Sequence, residues 1–397
     1  MFRNLKHWGR WLPIALGIGL ACCAAALAAK PVKPVTPAYT IVPFLATPPQ
    51  DFQSVRSDVQ DLNDLGRAVG FEEFRKQLAD GSYETLYWGL HLDTATGACA
   101  VLHDARGAAG INNLNQIVGC RFNWGGAFWK APDDDNPVDL PQLSGDIGCD
   151  PRAINDAGIV VGNSLDFDGA GILGRGVIWR VAVDEDGAVS VDDPVELPRL
   201  ADNTQAWAVD LSELSNGSFH VTGYCASEEY GHEAVGWTVA VDPDGTIKPG
   251  PAVSLVENHT LSYGYGVNID GDVCGSLEGY EMPSLARAGQ AAQLLPMPPD
   301  THWGEAVDIN NLGEIVGVLD IYPYKTKGWI NTPGNFYAYL WKNGNPIDLT
   351  TQIDPATGWT RLRWATAIND AGVIGGTGYR GSLDVQWRGF VLIPIAP

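Results

Sequence analysis

The sequence predicts an all-β repeat protein made of seven copies of one four-stranded unit. Three observations predict it: a phrase of apolar residues, turn and glycine recurs seven times, glycine is abundant (47 of 397 residues), and the repeats show no helical periodicity. The copies read DLNDLGRAVG (61–70), INNLNQIVG (111–119), INDAGIVVG (154–162), VDLSELSNGSFHVTG (209–223), VNIDGDVCG (267–275), INNLGEIVG (309–317) and INDAGVIGG (368–376). Successive closing glycines are 49, 43, 61, 52, 42 and 59 residues apart. Self-similarity at that period marks a repeat architecture.

The third copy shows how each element arises. Ala153-Ile154 runs into Asn155-Asp156-Ala157-Gly158, and the chain leaves through Ile159-Val160-Val161-Gly162. Asn and Asp bond to nearby backbone and glycine supplies a positive φ, so β-branched flanks make this a hairpin. A variable segment leads to a third strand, Gly176-Val177-Ile178-Trp179. The acidic turn Asp184-Glu185-Asp186-Gly187 follows, then a fourth strand, Pro194 to Leu197. The order recurs where Ala127-Phe128-Trp129 precedes Pro137 to Leu140, and where Ala338 to Trp341 precedes Pro346 to Leu349. Four-stranded antiparallel sheets repeated radially make a β-propeller.

The chain ends point to closure. The seventh copy stops after a third strand, Gly389 to Ile393, while an unpartnered strand, Tyr39 to Phe44, precedes the first hairpin. A linear solenoid needs polar caps instead. The expectation is a seven-bladed β-propeller of four-stranded antiparallel blades over 39–397, with the N-terminal strand completing the last blade.

The phrase I-N-[ND]-x-G-x-[IV]-V-G, followed by A-[FY]-x-W and P-x-D-L, resembles the HAF-type extracellular repeat from Tyr39 to Pro397. The His-Ala-Phe triplet of that family reads here Gly126-Ala127-Phe128, Gly176-Val177-Ile178 and Tyr337-Ala338-Tyr339. The resemblance implies an exported protein and brings no catalytic residues with it.

Export is also written in the leader. Arg3, Lys6 and Arg10, the apolar run Leu12 to Leu27 and Ala26-Leu27-Ala28 form a cleavable signal peptide over 1–29, ahead of a Pro-rich linker over 30–38. No other apolar run reaches the roughly 18 residues of a membrane span, so none is expected in the mature chain. Cleavage leaves 22 basic residues against 47 acidic. Such charge repels phosphate, which argues against nucleic acid as a partner and leaves protein or glycan ligands. Of the five remaining cysteines, Cys120 and Cys149 fall on the same side of the predicted blades and are expected to bridge; Cys274 is expected to stay a buried thiol. No Cys/His metal spacing occurs, and no cofactor or metal is expected. The acidic turns at 133–135, 166–169, 184–187 and 242–245 lack the distal ligands of a calcium loop and read as hairpin turns.

Function on a repeat scaffold concentrates on connections held by a rigid frame. The variable segments 71–86, 163–175, 224–233, 318–337, 350–364 and 377–387 are expected to be loops on one face. Trp88, Trp129, Trp179, Trp237 and Trp341 recur in the third strand and read as inter-blade packing. Trp207, Trp303 and Trp364 precede three of the hairpins without belonging to the common phrase. They are expected to line a central ligand pocket with Tyr265, His302, Tyr324 and Trp329. No G-x-S-x-G, H-E-x-x-H or P-loop spacing is present. The expected function is therefore a binding module for protein or glycan. The alternative is an extracellular hydrolase or lyase acting on a polysaccharide at the central pocket, which requires a His and a carboxylate to converge there.

Overall fold

The repeat phrase folds as a hairpin because its asparagine side chain replaces backbone partners at the turn. In the third copy, Asn155 Oδ1 accepts from Ala157 N and Ile159 N, both at 3.1 Å. Gly158 then takes φ +71°, and a Cβ there would lie 2.3 Å from Val181 O. Asn63, Asn112, Asn268, Asn310 and Asn369 build their turns in the same way.

The computed structural model describes residues 36–396 except 123–124, 168–170, 228–230, 258–260, 278–281, 322–334 and 382–386. The expected leader and residues 30–35 of the linker lie outside the described residues. Thr36–Pro397 forms one compact unit. Among the described residues, no helix is long and apolar enough to cross a membrane.

The chain is all-β and propeller-like. The first antiparallel group is Gln53–Leu62, Arg67–Gln77, Tyr83–Asp93 and Ala98–Val101. The second, fifth and sixth groups begin at Gly107–Ile111, Ser262–Val267 and Thr301–Ile309. Gly148–Ile154 and Gln205–Leu211 open the third and fourth groups, where two short strands share the fourth position. The seventh is Trp359–Ile368, Ile374–Arg380 and Trp387–Pro394, and its fourth strand is Tyr39–Phe44, paired from Tyr39↔Pro394 to Phe44↔Gly389.

A β-bulge interrupts the first strand of every group at the same place. The inserted residues are Gln60, Ala109, Arg152, Val209, Tyr265, Val307 and Thr366. An inserted residue leaves the ladder unpaired and turns the strand, so the buried side chains fall three apart instead of two. Val59 and Leu62, Ala208 and Leu211, and Ala365 and Ile368 accordingly sit pairwise in one core cluster each.

The expected long loops are in large part strand. Residues 71–77, 163–167, 172–175, 224–227, 359–364 and 377–380 continue the ladders. Their polar and charged residues read as loop, yet within the ladders Glu72, Glu73, Asn163, Ser164 and Thr377 are buried, and Cys225, Trp359 and Leu362 belong to the core clusters.

Adjacent groups are stitched at two radii. Trp129, Trp179, Trp237 and Trp341 are fully or nearly fully buried. Their indole N–H groups donate to carbonyls of the preceding group's exit segment: His103 O at 2.8 Å, Pro141 O at 2.7 Å, Pro198 O at 2.8 Å and Pro296 O at 2.7 Å. Trp88 instead packs edge-on against Phe74. At the turns, asparagine amides hand on a chain of bonds: Asn63 to Asn112 O, Asn112 to Asn155 O, Asn155 to Ser212 O, Asn268 to Asn310 O and Asn310 to Asn369 O. Asn369 then donates to Asn63 O at 2.9 Å, so the seventh hairpin bonds to the first. Between the fourth and fifth groups, where Ser212 stands in for asparagine, Asp210 accepts from Val267 N.

The expected Cys120–Cys149 bridge is not formed. Cys120 Sγ lies 3.3 Å from Asp150 Oδ1, and Cys149 Sγ donates to Leu140 O at 3.2 Å. Sharing one side of the sheets did not align the two sulfurs, which point to different neighbours. Cys274 is a fully buried thiol. The turns at 184–187 and 242–245 close on Asp184 and Asp242.

Candidate binding site

Each first strand ends at its turn, so its residues mark depth along a shared central space. Starting from the turns, the levels are the asparagine chain, three carboxylates, the seven inserted residues, and then aromatic and arginine side chains.

The seven inserted residues together line a cavity of about 250 Å³, floored by Asp61, Asp210 and Asp308. A second cavity, of about 160 Å³, lies between those carboxylates and the turns. The bulge explains why these residues meet: it turns one side chain per group out of the ladder toward the common space.

Asp61, Asp210 and Asp308 occupy the same position of three groups. Each accepts a backbone N–H from the next group: Ile111 N at 2.8 Å, Val267 N at 2.8 Å and Ile368 N at 2.7 Å. They are enclosed by protein yet border the cavities. Burial raises all three above the ordinary carboxylate range, Asp61 to about 7 and Asp308 to about 6. Asp308 adds repulsion to the other two. Among the described residues, no group of acidic, His and Cys side chains is arranged to hold a metal ion.

The sequence-predicted ligand residues divide into two aromatic clusters. Trp207 stacks on Tyr224 (6.0 Å), which meets Tyr263 (4.9 Å) and His232 (5.1 Å) edge-on. Tyr263 stacks on Tyr265 (5.9 Å), and its hydroxyl bonds His232 Nδ1. Trp303, Phe336 and Trp364 form the second cluster, at 5.3 to 6.1 Å. Of the expected set, Tyr265 borders the central cavity, as an inserted residue; the three tryptophans pack within their clusters above it. His302 is exposed and is itself an inserted residue. Tyr324 and Trp329 lie outside the described residues. Asp61, Asp210 and Asp308 floor the cavity, and His232 bonds the Tyr263 hydroxyl in the first cluster.

Sequence reasoning missed the arginines. Arg363 stands over Trp387 (3.9 Å) and Phe336 (5.0 Å), Arg361 over Tyr379 (4.9 Å) and Tyr337 (5.4 Å), and Arg56 over Phe71 (4.9 Å). The strands that carry them hold extra bulges, at Val55, Thr360 and Arg363. The signal available was the pattern Arg361-Leu-Arg363-Trp364 in a strongly acidic chain.

No family model matches the chain, and no curated protein does. Among solved structures it is similar to an acylaminoacyl peptidase of Pyrococcus horikoshii (13% identity, TM-score 0.48, 83% of this chain and 50% of that one). A protein of unknown function from Dyadobacter fermentans aligns at 14% identity and TM-score 0.40, over 90% of this chain and all of the other. Virginiamycin B lyase of Staphylococcus aureus aligns at 11% identity and TM-score 0.40, with the same coverage. The chain thus spans about half the length of the peptidase. Similarity this slight carries no functional inference.

Proposed function

We propose that the protein is an exported, closed seven-bladed β-propeller of HAF-type repeats that binds a protein or glycan ligand at the end of its central space opposite the asparagine turns. The single observation that carries the reading is the concentration of half-buried aromatic side chains at that end: Trp207, Tyr224, Tyr265, Trp303, Phe336 and Trp364. Aromatic faces bury large area at little entropic cost, which suits stacking against a ligand. The other end is occupied by turns whose side chains bond to one another. Closure is supported by the pairing of Tyr39–Phe44 with Trp387–Pro394 and by the bond from Asn369 to Asn63.

The test is a glycan and peptide array followed by hydrogen exchange on whatever complex forms. Ligand should protect amides in 205–207, 262–265, 301–305 and 359–364. Protection confined to the turns at 63–66, 112–116 and 369–372 would refute the placement.

A further inference from the structure

We infer that Arg361 and Arg363 form an anion-recognition pair for a carboxylate-bearing sugar, an inference that rests on the binding reading above and names its ligand class. The chain has nearly twice as many acidic as basic residues, 47 against 25, so an arginine has carboxylates in abundance to pair with. Arg67, Arg121, Arg175 and Arg287 do so. Among the described residues, no carboxylate lies within ion-pair distance of Arg361 or Arg363, although both are half-buried. Asp58, whose charge reaches Arg363, is already engaged by Arg56 at 3.2 Å and by the Thr377 hydroxyl.

Two neighbouring guanidinium groups withdrawn from water cost free energy unless charge and hydrogen bonds are returned to them. Aromatic faces return part of the charge term and leave the donors in the ring plane unused. Among the described residues, the buried Nε of Arg363 has no hydrogen-bond partner, and Arg361 Nη1 reaches Asn335 at a long 3.4 Å. A planar carboxylate matches the fork of N–H donors that a guanidinium presents. Backbone geometry supports the same conclusion independently. Arg363 is itself the inserted residue of a bulge that the other first strands do not have at that level, and bulges re-aim side chains beside sites.

The surroundings favour a sugar over a peptide. The half-buried Trp387 and Phe336 carry aromatic faces beside the two arginines, and flat faces of that kind suit stacking on a sugar ring.

The experiment titrates the full protein with a galacturonate tetrasaccharide, its carboxyl-reduced neutral counterpart and a glutamate tetrapeptide, by calorimetry and tryptophan fluorescence. The acidic sugar should bind with affinity that falls as salt rises, and the neutral sugar roughly tenfold or more weakly, the scale of a charge-assisted hydrogen bond. Arg361→Gln and Arg363→Gln should each lose a similar factor, with near-ultraviolet circular dichroism reporting whether the variant is folded. The comparison of the two sugars on the unmodified protein stands even if a variant misfolds. Equal binding of acidic and neutral sugar overturns the anion pair and leaves the binding reading intact. Binding of the peptide in place of the sugar overturns the ligand class. Failure of all three probes to bind overturns the inference, whereas a neutral or protein ligand found on the array would preserve the broader proposal.

Discussion

Phe44 is the side chain through which the N-terminal strand enters the core, and replacing it with alanine tests whether the two chain ends form one structure. It is fully buried among Val59, Leu62, Leu90 and Val391, side chains drawn from the first and seventh groups. Its carbonyl accepts from Ser57 Oγ at 2.7 Å, and that hydroxyl in turn accepts from Gly389 N at 2.8 Å. Truncation removes a phenyl ring from a site framed by three paired strands, where collapse is limited. The expected cost is about 3–5 kcal/mol, a large share of a domain stability of about 5–15 kcal/mol. Urea unfolding followed by tryptophan fluorescence and far-ultraviolet circular dichroism should show a lower midpoint, an unchanged slope and coincident transitions. Deleting 39–46 should act more severely in the same direction. A loss under about 1 kcal/mol, or an early separate transition of the N-terminal strand, would mean that this strand is a loosely attached tail and would refute the closure argument.

Two further outcomes follow from the stitches and from the buried acids. Trp179→Phe keeps most of the ring but strands the carbonyl of Pro141, so it should cost about 2–4 kcal/mol in the same assay, whereas Trp88→Phe should cost clearly less; equal costs would show that the indole bonds contribute nothing special. Asp61, Asp210 and Asp308 have folded values raised above the unfolded value. Their contribution is therefore fully present below about pH 4; that of Asp61 and Asp308 is lost as pH rises through about 6–7, and that of Asp210 is lost in the same direction. The unfolding midpoint should be higher at pH 5 than at pH 8, and Asp308→Asn should flatten that dependence; an unaltered profile would contradict the burial assigned to these acids.

The repeat phrase made the hairpins, their order and the pairing of the two chain ends legible, because asparagine and glycine at fixed offsets specify a turn locally. The bulges were not legible. Ala365 and Ile368 lie three apart, a spacing that belongs to a helix face and not to a strand, and only the partner strand, through Gly376 and Ile374, shows that Thr366 is inserted. The central carboxylates were hidden for the same reason: Asp61 and Asp308 look like ordinary residues beside a turn until the inserted residue places them at the cavity. Trp207, Trp303 and Trp364 stood out as additions to the repeat phrase, but their partners, Tyr224, Phe336 and each other, are distant in sequence. The unmade Cys120–Cys149 bridge shows the limit of assigning a side of the sheet. It fixes a neighbourhood, not the direction of a thiol.

The position of Tyr39–Phe44 also governs when the molecule can be finished. Six groups draw all their strands from consecutive sequence and can form while the chain is still being made, but this strand's partner begins at Trp387. This strand must wait, edge exposed, until Trp387–Pro394 has been made. The entropic cost of closing so long a loop grows only with the logarithm of its length. The delay, however, leaves the Phe44 edge and the uncovered flank of Trp387–Pro394 open to other chains throughout. Pairing of Tyr39–Phe44 with Trp387–Pro394 is thus a late event, and truncating either strand is expected to leave the edge of the other open.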